Sequence, residues 1–277
     1  MMTAQAAVTE AQRKALTGKR WEKASENTSG AGIVLQSSRL KERLEGIGQN
    51  FVSAKEHLSL VESSLSELTT LLTQAKQAGL QGNNATLSAD ERKVIASQID
   101  TLSKRVLEIA NTTDSEGLGI YSGQSREAAA FKVDGVTGDA VFSGDELPRQ
   151  MELRPGEWSR MNMENSGSFF TEVHADLKAL KIAVENGDTT HALASMEAKQ
   201  KQTLDVRAVM GVKLQQVEKL STQHVARVDD LTAKISDVQE IDLSEAITDY
   251  QRANLVYSAA LQFTAQAQQL GLMDFLR

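Results

Sequence analysis

The apolar residues between Leu40 and Ala75 advance in alternating steps of four and three: Leu40, Leu44, Ile47, Phe51, Ala54, Leu58, Val61, Leu65, Leu68, Leu72 and Ala75. Steps of that size put all of them on one face of a helix, at the spacing of a coiled-coil seam, and predict one long helix with a single apolar stripe. The stripe stops at Gly79, and Gln81-Gly82-Asn83-Asn84 brings residues that tolerate left-handed backbone and end helices. Ser88 and Glu91 then stand at capping-box spacing. They open a second helix whose Ile95, Ile99, Leu102, Val106 and Ile109 keep the same rhythm, so the two stripes should pack antiparallel.

From Thr112 to Gly167 the pattern changes. Gly, Asp and Ser become frequent, and short alternating pieces, Ala130-Phe131-Lys132-Val133 and Met151-Glu152-Leu153, lie among the turn pairs Asp134-Gly135 and Ser143-Gly144. This reads as a small β-rich insertion. Helical spacing resumes at Phe170 with Val173, Leu177, Leu180 and Val184, until Asn186-Gly187-Asp188 breaks it. A further helix starts near Thr189 and carries Met210, Leu214, Val217, Ser221, His224, Val228, Leu231, Ile235 and Val238 in four-and-three order. It is predicted to lie along the Leu40 to Ala75 helix, which brings distant parts of the chain together. After Ile241-Asp242 the chain stays helical and becomes rich in Ala and Gln, with Leu243, Ile247, Tyr250, Tyr257 and Leu261, then Leu270, Leu272, Met273, Phe275 and Leu276 at the very end. A lone helix of this kind cannot bury its apolar surface, so both ends look built for partners.

Composition sharpens this picture. Of 277 residues, 40% are hydrophobic but only 4% aromatic, and two are Pro, as expected of long helices packed on one another. A net charge of -7 without a basic stripe argues against nucleic acid, whose phosphates are held by clustered Lys and Arg. No apolar run approaches the roughly 18 residues needed to cross a bilayer, and the N-terminus lacks a signal-peptide pattern, so a soluble chain with no membrane partner is expected. The absence of Cys excludes disulfides and thiol chemistry.

The candidate chemistry is thin. None of the four His stands at metal-ligand spacing, so no metal or other cofactor is expected. His224 beside Ser221 reads as a polar layer fixing helix register, with a buried pH switch as the alternative. Ser38-Arg39-Leu40-Lys41 matches an S-x-x-K spacing, but its partner elements are missing. Gly117-Leu118-Gly119 with Gly123 does not complete a dinucleotide-binding loop. Acidic residues such as Glu42, Glu45, Glu56, Glu62 and Glu67 flank seam positions as a solvated helix face does. No enzyme is expected.

One segment points to a family. Gly18-Lys19-Arg20-Trp21-Glu22-Lys23-Ala24-Ser25-Glu26-Asn27-Thr28-Ser29-Gly30-Ala31 resembles, without a gap, the flagellin-type stretch G-K-R-I-N-x-P-S-D-D-P-A-G-A. Gly119-Ile120-Tyr121-Ser122-Gly123 looks like the F/Y-S-G strand that leads out of that family's helical core. The ending Leu270-Gly271-Leu272-Met273-Asp274-Phe275-Leu276 is similar to L-S-L-L-D-F/Y-L, found in the branch of the family that joins hook to filament. Ala24 and Thr28 stand where the family has prolines, and Glu26-Asn27 where it has two aspartates. Only 17 residues precede Gly18, which implies a shortened N-terminus.

The resemblance implies a mainly α subunit, a long antiparallel coiled-coil-like bundle built from N- and C-terminal segments with a small β-rich insertion, its terminal helices partly disordered in the monomer. Five parts are expected: 1–38, inner assembly layer and connecting loop; 39–118 and 169–242, the two halves of the bundle; 119–168, the outward β insertion; and 243–277, the rest of the inner layer. Assembly contacts are expected at Leu16, Gly18, Lys19, Arg20, Trp21, Ser25, Tyr257, Leu261, Leu270, Leu272, Phe275 and Leu276, with Trp158 either an outer contact or the small core of the insertion. The implied partners are further copies in a ring, hook-associated protein 1, flagellin and an export chaperone. The implied location is the flagellum outside the cell, reached through the flagellar type III channel. A short or minor flagellin and a non-flagellar coiled-coil scaffold are the alternatives.

Overall fold

The computed structural model describes residues 2–125 and 127–275, with side chains in the last helix described as far as Gln266. The elements run α1 (Met2–Thr17), α2 (Thr28–Gly82), α3 (Ala89–Ala110), β1 (Phe131–Val133), β2 (Ala140–Phe142), β3 (Gln150–Arg154), β4 (Glu157–Arg160), α4 (Ser166–Asn186), α5 (Thr190–Gln239) and α6 (Leu243–Phe275). The chain divides into two units, residues 1–45 with 225–277 and residues 46–224, and both boundaries fall inside helices, α2 and α5.

The unit of residues 46–224 holds the main core. Every seam residue predicted from Ile47 to Ala75 is buried, and it merges with Ile99, Val106 and Ile109 of α3, Val173, Leu177, Leu180 and Val184 of α4, and Met196, Met210 and Val217 of α5. The capping box forms as expected: the Ser88 N–H donates to the Glu91 carboxylate at 2.8 Å and the Glu91 N–H to the Ser88 hydroxyl at 3.3 Å. Helix α5 lies antiparallel to α2. Lys55 meets Glu218 at 3.3 Å, Arg207 meets Glu62 at 2.6 Å, and Lys76 meets Glu197 at 3.1 Å, so partners on one helix recede as those on the other advance. These exposed pairs set register more than they stabilise. His224 is half-buried with its ring 5.0 Å from that of Phe51, and burial lowers its pKa.

Two antiparallel hairpins make the insertion, with Phe131 opposite Phe142 in one and Glu152 opposite Trp158 in the other. Pro155-Gly156 forms the tip of the second, where Gly156 takes φ +82°. The interior of this region is made by Phe131, Leu153, Met161 and Met163, while Trp158 is 61% exposed, so Trp158 is not its core. The segment Gly119–Gly123 is a turn rather than a strand. Gly123 holds φ +72°, a Cβ there would meet the Asp145 carbonyl oxygen at 2.1 Å, and the Ser122 hydroxyl donates to Gly119 O at 2.9 Å. The chain is thereby bent so that Tyr121 enters the core, its hydroxyl paired with Ser64.

Two buried imidazoles, His57 and His174, tie this core to pH. Burial, and then the Arg149 charge, lower the His57 pKa to about 4, while burial and then Lys178 lower that of His174. A folded pKa below the unfolded value means that the unfolded chain takes up the proton first. Stability is therefore complete above roughly pH 6.5 and falls as pH drops toward 4, with His57 alone accounting for about 3 kcal/mol. Urea unfolding followed at pH 7.5, 6, 5 and 4 should show this decline, and His57→Gln should flatten much of it.

Candidate assembly surface at the chain ends

Both chain ends fall in the unit of residues 1–45 and 225–277. Helix α1 closes where the Gly18 N–H donates to Lys14 O at 2.9 Å, with Gly18 at φ +66°, a left-handed value that glycine adopts without strain. The chain then runs along the end of α5. The Ile241 N–H donates to Gly18 O at 2.9 Å, the Arg20 N–H to Gln239 O at 2.7 Å, and Lys19 bridges to Glu240. Trp21, only 7% exposed, fastens this seam by donating its Nε1–H to Val238 O at 3.1 Å. Asn27 then caps α2 by accepting the Gly30 N–H at 2.9 Å, which starts that helix a dozen residues ahead of its apolar stripe. A Cβ on Gly30 would meet Asn27 Nδ2 at 2.5 Å, so the glycine leaves room for the cap.

Because Gly18 is bonded to Ile241, the end of α1 and the start of α6 are neighbours, and the two helices pack antiparallel. The sheltered positions are Ala4, Val8, Ala11 and Ala15 on α1, and Ala246, Tyr250, Ala253, Tyr257, Ala260 and Thr264 on α6, again at four-and-three spacing. Asp242 precedes α6 and accepts the Ser244 N–H at 2.7 Å, and the backbone N–H groups of Ser244 and Glu245 hold its carboxyl below the usual range. At the other end of the loop Arg13 reaches Glu26 at 3.4 Å and Glu22 at 3.6 Å.

This seam uses one stripe of α6 and leaves the rest bare. Leu243, Ile247, Leu255, Val256, Leu261 and Phe263 are exposed, Leu255 by 73% and Phe263 by 72%, and Leu16 of α1 joins them. Among the described residues of this unit the buried hydrophobics are Trp21, Leu44, Leu231 and Ala246 alone. An open apolar groove of about 620 Å3 adds to the bare surface, lined by Trp21, Ala24, Val34 and Leu35 with Ser25 at its edge.

The predicted contact residues thus separate. Leu16, Ser25 and Leu261 are exposed, as are Lys19 and Arg20, whose backbones make the seam with residues 239–240. Trp21 is spent inside the chain, and Tyr257 lies in the α1–α6 seam. The side chains of Leu270, Leu272, Phe275 and Leu276 lie outside the described residues. Leu255, Val256 and Phe263 were not among the predicted contacts. The adjacent pair Leu255-Val256 could have revealed them, since neighbours 100° apart on a helix cannot both lie in one narrow seam. Lys41, of the S-x-x-K match, is paired with Glu45 at 3.6 Å. Among the described residues no cluster of three or more His, Asp or Glu is placed to hold a metal, and no helix is long and apolar enough to cross a membrane.

A bundle with its own core, attached to a terminal unit whose apolar side chains are mostly uncovered, has the build of a structural subunit that assembles with others. Comparison with known proteins agrees. The bacterial flagellin N-terminal helical region matches residues 1–126 and the bacterial flagellin C-terminal helical region matches residues 193–276. The chain is 27% identical to flagellar hook-associated protein 3 of Escherichia coli K12, over 91% of this chain and 86% of that protein. It is 24% identical to flagellin E of Vibrio cholerae, over 82% of this chain but 56% of that one. Its fold matches the crystal structure of flagellar hook associated protein-3 from Legionella pneumophila with a TM-score of 0.63 at 14% identity, covering 74% of this chain and 98% of that one. The chain belongs to the bacterial flagellin-like family. It is a structural, non-enzymatic protein of the bacterial flagellum.

Proposed function

We propose that this chain is the junction subunit of the flagellum, of the hook-associated protein 3 type, seated between hook-associated protein 1 on the hook side and the flagellin filament. The observation that carries this reading is the uncovered terminal unit. Leu255, Val256, Leu261 and Phe263 face outward from a helix that already has one partner, so a second layer of apolar contacts must come from other subunits. Copies of the same chain arranged in a ring supply such contacts at every position. Burial contributes about 25 cal/mol per Å2 of apolar surface, against roughly 1 to 2 kcal/mol per residue for ordering backbone. A lone subunit therefore gains little from holding its terminal helices, and ordering of the ends coincides with incorporation. That behaviour suits passage through the type III export channel with a chaperone covering the ends, and release outside the cell.

The short insertion supports the junction role over a filament role, because the chain spans most of hook-associated protein 3 but little more than half of flagellin E. The same likeness to flagellin E keeps a short or minor flagellin as the second reading. Electron microscopy of a strain lacking this gene, with flagellin assayed in the medium, separates the two. Hooks without filaments and flagellin lost to the medium are expected, whereas hooks bearing normal filaments would transfer the protein to the minor flagellins.

A further inference from the structure

In the unit of residues 46–224, apart from the chain ends, α2, the loop after α3 and the segment before β3 enclose a pocket of about 230 Å3. His57 forms part of its wall. The ring is 4% exposed, and neither Nδ1 nor Nε2 has a hydrogen-bond partner, an arrangement that leaves a buried polar group at a cost in stability. Across from it Arg149 holds one oxygen of Asp114 at 3.2 and 3.3 Å, while the other oxygen accepts the N–H groups of Glu116 and Leu118, each at 3.0 Å. That pair is satisfied. Glu56 and Glu116 at the rim are exposed and make no side-chain hydrogen bond or ion pair.

The charge balance chooses the ligand. Three carboxylates face one guanidinium, and that guanidinium is already occupied by Asp114, so an anion would meet net repulsion. Burial keeps His57 neutral, which leaves one ring nitrogen as a lone-pair acceptor. An N–H donor carrying positive charge satisfies both the wall and the rim. We propose that this pocket binds an alkylammonium or guanidinium group, with His57 accepting a hydrogen bond and Glu56 and Glu116 supplying the opposing charge. The volume and the open mouth admit the tip of a lysine or arginine side chain from a second polypeptide, and a free amine shares that chemistry.

The test uses the full chain labelled with 13C and 15N in histidine, titrated by NMR with n-butylammonium and with methylguanidinium chloride. A saturable change of the His57 ring signals is expected, absent with sodium chloride and absent at His174, His191 and His224. Glu56→Gln combined with Glu116→Gln, both exposed positions, should weaken binding roughly fivefold without unfolding the protein. Nα-acetyl-lysine methylamide separates the sources: binding tighter than n-butylammonium assigns the site to a protein side chain, and equal binding to a free amine, each upholding the site. No saturable change with either cation, or undiminished binding in the double variant, would overturn it and leave a pocket for water only. Neither result bears on the junction reading, which rests on the chain ends.

Discussion

A chain carrying Leu255→Asp and Phe263→Asp is expected to fold as the parent does and to leave its host unable to swim. Both side chains are more than 70% exposed on α6, opposite the stripe that meets α1, so the lone subunit loses almost no burial when they change. Its urea midpoint should move by less than about 0.5 kcal/mol in stability, the usual range for surface substitutions. In an assembled layer the same positions would place an unpaired carboxylate against a neighbour's apolar face. Each substitution removes about 2 kcal/mol of apolar burial and adds the penalty of an unpaired buried charge, repeated at every subunit contact. Val136→Asp is the control, since Val136 is 96% exposed in the β1–β2 loop and should tolerate charge with normal motility. Swimming that survives the double change would remove this face from the assembly, and loss of swimming together with a lowered midpoint would trace the defect to folding.

The second large effect concerns the lone subunit. Phe170 is fully buried where α4 meets the insertion, with its ring 4.6 Å from Tyr121, 5.2 Å from Phe169 and 5.4 Å from Phe131. Phe170→Ala removes the shared member of these three contacts and leaves a cavity that rigid neighbours cannot close. A loss of about 4 kcal/mol is expected, read as a lowered urea midpoint at pH 7.5. Phe142→Ala is the useful comparison, because Phe142 is half-buried and touches Phe131 alone among the rings described, so it should cost clearly less.

The two effects fall on opposite ends of what could be read without a structure. The Leu40 to Ala75 stripe, the Ser88 cap and the break at Gly187 are local patterns, each set by residues within a few positions of one another, and each appears in the structure. Phe170 was readable as a helix residue, but its ring partners at 121 and 131 come from a segment whose path has no periodicity. The turn at Gly119–Gly123 shows the difficulty, since Gly123 bends the chain because Asp145, remote in sequence, occupies the adjoining space. Trp21 is similar: its partner Val238 lies at the other end of the chain, so an aromatic that looked equally suited to a neighbour or to a local staple proves to bind N- and C-terminal segments together.

The sequence by itself determined that this chain is a set of long amphipathic helices interrupted by a short β-rich insertion, and that its ends carry more apolar surface than they can bury. Periodicity and capping are properties of neighbouring residues, so they survive in a bare string of letters. Only the tertiary structure decided which apolar residues are already covered and which remain: Trp21 and Tyr257 are taken up within the chain, while Leu255, Val256 and Phe263 are left outside. The reason is geometric. A helix shows its apolar positions in its spacing, but which of them face a partner depends on where that partner lies, and α1 covers only one side of α6.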